Sequence, residues 1–254
     1  MKIALIQTTL IWENATENRK LLEAKMQCIS ENIDLIVLPE MFTSGFTMNP
    51  KIVAETMDGA TIQWLKSLAK SNNCAITGSL VIQENGKYFN RLVFVFPSGE
   101  IQTYNKRHLF TLAGEDKVYT AGTEKLIIDY KGFKICPLIC YDLRFPVFSR
   151  NTENYDLLLF VANWPKPRIN AWDILLKARA VENMSYVIGV NRLGTDNNNH
   201  QYIGHSQAVD FLGNYILEPQ EKEEILILEL DKSKMLETRK KLGFLDDKDF
   251  FTIH

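Results

Sequence analysis

The sequence is short of the features that most directly identify a partner or a cofactor. Its 254 residues include only four cysteines, at 28, 74, 136 and 140, and no pair stands at metal-ligand spacing beside a histidine. His108, His200, His205 and His254 are the four histidines, and none sits in a recognisable catalytic context. No apolar run approaches the roughly 20 residues needed to cross a bilayer. The opening "MKIALIQTTLIW" is interrupted by Gln7, Thr8 and Thr9 and is followed by no small-residue cleavage site, so no signal peptide is expected. There is no glycine-rich phosphate loop and no dinucleotide fingerprint. A net charge of −2 gives no electrostatic footprint for nucleic acid. What remains is an apolar fraction of 46% and a charged fraction of 24%, those of an ordinary soluble domain. The expectation is a cytoplasmic protein with reduced thiols, bound to neither nucleic acid nor membrane and using no cofactor.

Short β-branched runs bounded by turn residues predict strands at 2–7, 35–38, 74–81, 90–96, 134–140, 157–162, 185–191 and 206–211. Helical spacing of apolar residues predicts helices at 16–31, at 61–71 with Thr61 as N-cap, and at 169–183. "FPSGEI" and "DFLGNY" read as hairpins. These elements repeat in order. "KIALIQ" is echoed by "KICPLIC", "IDLIVLPEM" by "YDLLLFVANW", "NNCAITGSL" by "NMSYVIGVN", and "RLVFVFPSGEIQTY" by "SQAVDFLGNYILE". Two copies of one unit, residues 1–110 and 130–230, would each leave one sheet face bare, and packing those faces together buries both. The predicted fold is therefore α/β, a duplicated four-layer α-β-β-α sandwich. Residues 1–230 are expected to form a single domain. Residues 231–254, which mix "KSKMLETRKKL" with "FLDDKDFF", are expected to form a tail on the body or on a partner subunit.

Three stretches place a reactive group at the end of a strand or the start of a loop. In "LIVLPEMF", Glu40 follows four apolar residues and a proline, and a desolvated carboxylate there needs a partner or a task. In "TYNKRHLF", Lys106 and Arg107 follow the hairpin. In "LICYDLRFP", Cys140 ends an apolar run and Tyr141 follows it. Aligned by the repeat, Cys140 corresponds to Gln7. Ligand sites in open α/β sheets form beyond the carboxyl ends of strands, so Glu40 and Cys140 are expected to meet at one edge, with Lys106 folded over it. Such a set has chemical meaning: the carboxylate accepts the thiol proton, and the ammonium stabilises a thiolate or an oxyanion alongside the Tyr141 N–H. Taken singly, Cys140 reads as a core residue, Glu40 as a loop carboxylate and Lys106–Arg107 as a solvated pair. Cys136, mid-strand, reads as core. A redox role for Cys140 finds no C-x-x-C partner.

Together these stretches resemble the carbon–nitrogen hydrolase (nitrilase) superfamily, in which a glutamate, a lysine and a cysteine occur in this order and context. The likeness runs from "KIALIQ" to about Glu229. It implies the same duplicated sandwich, and it implies that Cys140 attacks an amide carbon to form a thioester. Glu40 would be the general base, and Lys106 with the Tyr141 N–H would hold the oxyanion. A second glutamate of that family matches Glu115 in "TLAGEDKVY", with Asp116 as the adjacent alternative. Arg144 would be a buried or half-buried ion-pair partner beneath the nucleophile loop.

"PEMFTSGFTMN" and "ICYDLRFP" look most like the omega-amidase branch, which implies hydrolysis of the terminal amide of dicarboxylic monoamides such as 2-oxoglutaramate and 2-oxosuccinamate. An anionic substrate needs a cationic clamp. "NWPKPR" offers Lys166 or Arg168 for it, with Phe46 and Trp164 as apolar walls. The alternatives are a related amidase for a larger amide such as deaminated glutathione, or a non-catalytic binding member of the fold. The resemblance also implies a homodimer.

Overall fold

The computed structural model describes residues 1–253; His254, the last residue of the expected tail, lies outside the described residues. In the first half, β1 (Lys2–Gln7), β2 (Leu35–Val37), β3 (Ala75–Glu84), β4 (Lys87–Val95) and β5 (Ile101–Asn105) form a sheet. In the second, β6 (Ile128–Tyr130), β7 (Phe133–Ile139), β8 (Leu157–Ala162) and β9 (Tyr186–Asn191) are followed by a small ribbon, β10 (Leu193–Thr195) with β11 (Gln201–Ile203). Then come β12 (Gln207–Val209), β13 (Tyr215–Leu217) and β14 (Glu224–Glu229). The two large sheets have the orders β14-β1-β2-β3-β4-β5 and β13-β12-β9-β8-β7-β6. Within each, three parallel strands (β1-β2-β3 and β7-β8-β9) continue into antiparallel ones, so the duplication read from the sequence is a duplication of topology. Each of the eight expected strands is present.

The register corrects one detail. Ile3 pairs with Leu35 and Ile135 with Leu157, so Cys140 is the counterpart of Thr8 and not of Gln7. "KICPLIC" is one residue longer than "KIALIQ", and its cysteine lies past the strand. β7 stops at Ile139, and Cys140 opens a 3-10 turn, Cys140–Arg144.

Strand periodicity explains the layers. On β1, Ile3 and Leu5 join the core shared with the second sheet. Ala4 and Ile6 face the other way, toward Leu22 and Met26 of α1 (Ala15–Gln27). A short turn, α2 (Pro50–Val53), precedes α3 (Ala60–Ser71), whose Ile62, Leu65 and Ala69 cover the same outer face. Thr61 does not cap α3. Gly59 holds the cap position, while the Thr61 N–H and hydroxyl both donate to Glu55. α1 begins at the Asn14 cap and ends at Gln27, short of the expected 31, because Cys28 and Ile29 close it with i−3 hydrogen bonds. After α4 (Pro146–Ser149), α5 (Ile169–Asn183) covers the second sheet with Trp172, Leu176 and Ala180. That approach needs Gly189 on β9: a Cβ there would lie 2.5 Å from the Trp172 ring.

Two placements were not legible in the pattern. β14 returns to pair antiparallel with β1, and β6 flanks β7. α6 (Lys232–Leu242) then lies against the body, where Arg239 donates to the Met184 and Tyr155 carbonyls at 2.7 and 2.6 Å. Among the described residues no helix is long and apolar enough to cross a membrane.

Candidate active site

Glu40, Lys106, Glu115 and Cys140 come from four separate segments and meet at one end of the sandwich. Glu40 follows β2 and Pro39. The next residue, Met41, has φ +44°, and its N–H donates to Ser79 Oγ at 2.9 Å, which fixes the turn that carries the carboxylate. Lys106 leaves β5, with its N–H on the Asn90 carbonyl at 3.0 Å. Glu115 opens a 3-10 turn and accepts the Phe110 N–H at 2.5 Å, so its side chain is folded inward. Asp116 beside it is exposed, and the structure thus separates the two candidate acids.

The Lys106 ammonium donates to Glu40 Oε1 at 2.9 Å and to both Glu115 oxygens at 3.1 and 3.0 Å. All three side chains are fully buried. The remaining acceptor sites of Glu40 are also occupied. Asn90 Nδ2 donates to Oε1 at 2.8 Å and the Asn163 N–H to Oε2 at 2.8 Å, while Asn163 Nδ2 donates to the Glu40 carbonyl at 2.7 Å. A carboxylate so placed has few orientations left.

One buried cation faces two carboxylates, so the cluster is one positive charge short. Burial opposes the Lys106 ammonium, yet the charges of Glu115 and Glu40 outweigh it and hold its pKa above the ordinary lysine value. Burial raises Glu115 against the pull of Lys106, with Glu40 adding to the rise. The Cys140 thiol is pushed well above its ordinary value by burial and then by Glu40, while Lys106 works in the opposite direction. Burial and the Glu40 charge thus favour the protonated thiol, and the sulfur gains nucleophilicity as its proton leaves. Cys136 is fully buried in the core, as expected.

Cys140 has φ +46°, a conformation that costs a non-glycine residue on the order of 1 kcal/mol or more. Its strand-end reading is corrected here: the thiol is aimed by a left-handed turn. Fully buried Asp142 holds that turn by accepting the Ile139 N–H and the Tyr104 hydroxyl on Oδ2 at 3.0 and 2.7 Å. Its Oδ1 accepts the His108 N–H at 3.0 Å. Arg179 clamps the Leu143 carbonyl with Nε and Nη2 at 3.1 and 2.7 Å.

Above the sulfur opens a cavity of about 590 Å³. Phe46, Tyr141, Trp164 and Arg168 line it, as does Arg144. Lys166, the first residue of the short 3-10 turn Lys166–Arg168, is exposed and does not line it. Phe46 lies beside the Lys106 ammonium, with Nζ 5.2 Å from its ring centroid. Arg144 departs from expectation. It is exposed and has no ion pair among the described residues, and its guanidinium carbon lies 5.0 Å from the Trp164 ring centroid. Sequence reasoning also passed over Asn90, Asn163 and Asp142. The available signal was an amide or acid beside an apolar run, as in "VANW" and "ICYD", where burial obliges a polar side chain to find partners.

Comparison with known proteins agrees with this geometry. The carbon–nitrogen hydrolase family model matches residues 2–240. Omega-amidase YafV of Escherichia coli K12 is 40% identical over 254 residues, covering 100% of this chain and 98% of that protein. A 2-oxoglutaramate amidase of Bacillus subtilis is 33% identical over 256 residues, covering 98% of each. The crystal structure of a CN-hydrolase superfamily protein from Xanthomonas campestris, with an arsenic adduct in its active site, superposes with a TM-score of 0.97 at 40% identity, covering 100% of this chain and 99% of that one. The chain belongs to the carbon–nitrogen hydrolase family.

Proposed function

We propose that the protein is an omega-amidase that hydrolyses the terminal amide of dicarboxylic monoamides, 2-oxoglutaramate and 2-oxosuccinamate among them. The observation that carries this reading is the buried Glu40–Lys106–Glu115 cluster beside a cavity-lining cysteine. The names of the relatives in Escherichia coli and Bacillus subtilis supply the substrate class.

In the proposed reaction, Glu40 takes the Cys140 proton as sulfur attacks the amide carbon. The oxyanion is held by the Lys106 ammonium and the Tyr141 N–H. The proton passes from Glu40 to the leaving nitrogen, the C–N bond breaks, and ammonia departs from a thioester. Water then attacks the thioester with Glu40 again as base, and the dicarboxylate leaves as the thiol re-forms. Glu115 shares the Lys106 charge and so tunes the base. Phe46 and Trp164 are the proposed walls and Arg168 a contact for the distal carboxylate; Lys166, which does not line the cavity, is not given that role.

The proposed organisation is one domain over residues 1–230 with 231–254 as a C-terminal segment docked on it. The proposed location is the cytoplasm, in keeping with four free thiols. A homodimer is proposed from the exposed apolar side chains Ile174 and Val181 of α5 and Leu236 and Phe244 near the C-terminus. The substrate reading is tested by ammonia release over a panel of omega-amides, neutral amides, nitriles and deaminated glutathione. Fastest turnover of 2-oxoglutaramate or 2-oxosuccinamate supports it. Preference for deaminated glutathione would replace it with the larger-amide reading.

A further inference from the structure

The chain has nine arginines. The side chains of seven of them donate at least one hydrogen bond to another group of the protein. The two with no such bond among the described residues are Arg144 and Arg168, and both line the cavity above Cys140. Each guanidinium instead lies against an aromatic wall: Arg144 over Trp164 at 5.0 Å and Arg168 over Phe110 at 5.1 Å. A guanidinium resting on a ring by its face keeps the N–H donors of its edge free.

The electrostatic setting is one-sided. No aspartate or glutamate is among the residues lining the cavity. The third cation there, Lys106, is already engaged by Glu40 and Glu115. Two cationic side chains with no ion pair among the described residues therefore stand beside Cys140 in a cavity whose lining carries no carboxylate, while the buried Glu40–Lys106–Glu115 cluster behind it has one carboxylate in excess.

Of the two, Arg144 has the better-fixed base. It ends the 3-10 turn that Cys140 begins. The residues just before it are held firmly, Asp142 by the Ile139 N–H and the Tyr104 hydroxyl, Leu143 by two donors of Arg179. The Phe145 N–H, on its other side, donates to the Asp142 carbonyl at 3.0 Å. A fixed backbone with an unengaged cationic head is the arrangement of a residue that binds an anionic ligand at low entropic cost.

We infer that Arg144 is the principal specificity residue of the site. It receives the distal carboxylate of an omega-amide acid, and Arg168 closes on the same group from the opposite wall. Because Arg144 and Cys140 lie on one rigid turn, the position of the carboxylate sets the position of the amide carbon over the sulfur. Chain length is thereby read as a distance along a single element. The inference rests on the omega-amidase reading for the identity of the substrate, though not for the existence of an anion clamp.

The test uses the full-length protein and its Arg144→Gln, Arg144→Lys and Arg144→Glu variants. Two quantities are measured: the ratio of kcat/KM for 2-oxoglutaramate to that for uncharged pentanamide, and glutarate binding by calorimetry. The expected result is a fall of roughly 10- to 100-fold in the ratio for Arg144→Gln, mainly through KM. Glutarate binding should weaken to a similar degree, Arg144→Lys should recover part of both, and Arg144→Glu should lose more. Melting temperatures should stay within about a degree or two of the native protein, since the Arg144 side chain makes no hydrogen bond among the described residues; a structural role would lower them. If the native enzyme ignores 2-oxoglutaramate yet binds glutarate in an Arg144-dependent way, the omega-amidase reading fails and the clamp stands. If ratio and binding remain within twofold of native in both Arg144→Gln and Arg144→Glu, the clamp is wrong whichever substrate is turned over.

Discussion

The Tyr104 hydroxyl donates to the Asp142 carboxylate at 2.7 Å, and both side chains are buried. This bond joins the strand that delivers Lys106 to the turn that presents Cys140. The same hydroxyl accepts the Arg107 N–H at 3.1 Å, so the backbone just past Lys106 is tied to the same point. Lys106 and Cys140 are thus held in register by one phenol and one acid. Removing Asp142 as Asp142→Ala strands the Ile139 and His108 N–H groups and the Tyr104 hydroxyl, at about 1–3 kcal/mol for each buried donor left unpaired. Tyr104→Phe should cost about 1–2 kcal/mol. Urea unfolding measures both, and kcat should fall with them while KM changes less. A loss under about 0.5 kcal/mol for Asp142→Ala would show that the turn is held by something else.

Lys106→Met should make stability depend on pH in a defined direction. Glu115 is raised on folding, first by burial, so the folded state binds its proton more tightly than the unfolded chain. Such a group supports folding most fully below its unfolded pKa, and that support is lost as pH rises through the raised value. Lys106 now restrains the rise; without it, Glu115 moves further up. The variant should lose about 3–5 kcal/mol at pH 8, as expected when one partner of a buried ion cluster is removed, and regain part of this at pH 5. Equal losses at both pH values would mean that the carboxyls do not feel the ammonium.

Glu40→Gln should separate thiol acidity from catalysis. After burial, the charge of Glu40 is the next cause of the raised Cys140 pKa, and Lys106 opposes it. Neutralising Glu40 should lower the thiol pKa, so iodoacetamide should alkylate Cys140 faster at pH 8 than in the native protein. Ammonia release should nevertheless drop on the order of 10²- to 10⁴-fold, because the proton acceptor is gone. Slower alkylation with turnover intact would reverse the assignment of Glu40.

Much of the scaffold could be read from the chain because its strands are buried on both faces. Continuous apolar runs such as "LIVLP" and "LLLFVA" are bounded by turn residues, and their order repeats. β14 was not legible, since "EILILE" alternates and gives no sign of which edge it will join. The site was legible where a charged or reactive group ended an apolar run, as with Glu40 and Cys140. It was not legible where function depends on what a side chain lacks. Arg144 was expected to be paired, and only the three-dimensional packing reveals that no acid among the described residues pairs with it. The left-handed backbone at Cys140 was equally hidden, because cysteine gives none of the signal that a glycine would at a positive φ.

Ammonia release from 2-oxoglutaramate by the native protein and by Cys140→Ala is the most direct test of the central claim. The two proteins should have matching circular dichroism and unfolding midpoints. The account predicts turnover by the native protein and a loss of at least about a thousandfold in the variant, because no thioester can form without the sulfur. A Cys140→Ala protein that releases ammonia within tenfold of the native rate would contradict it.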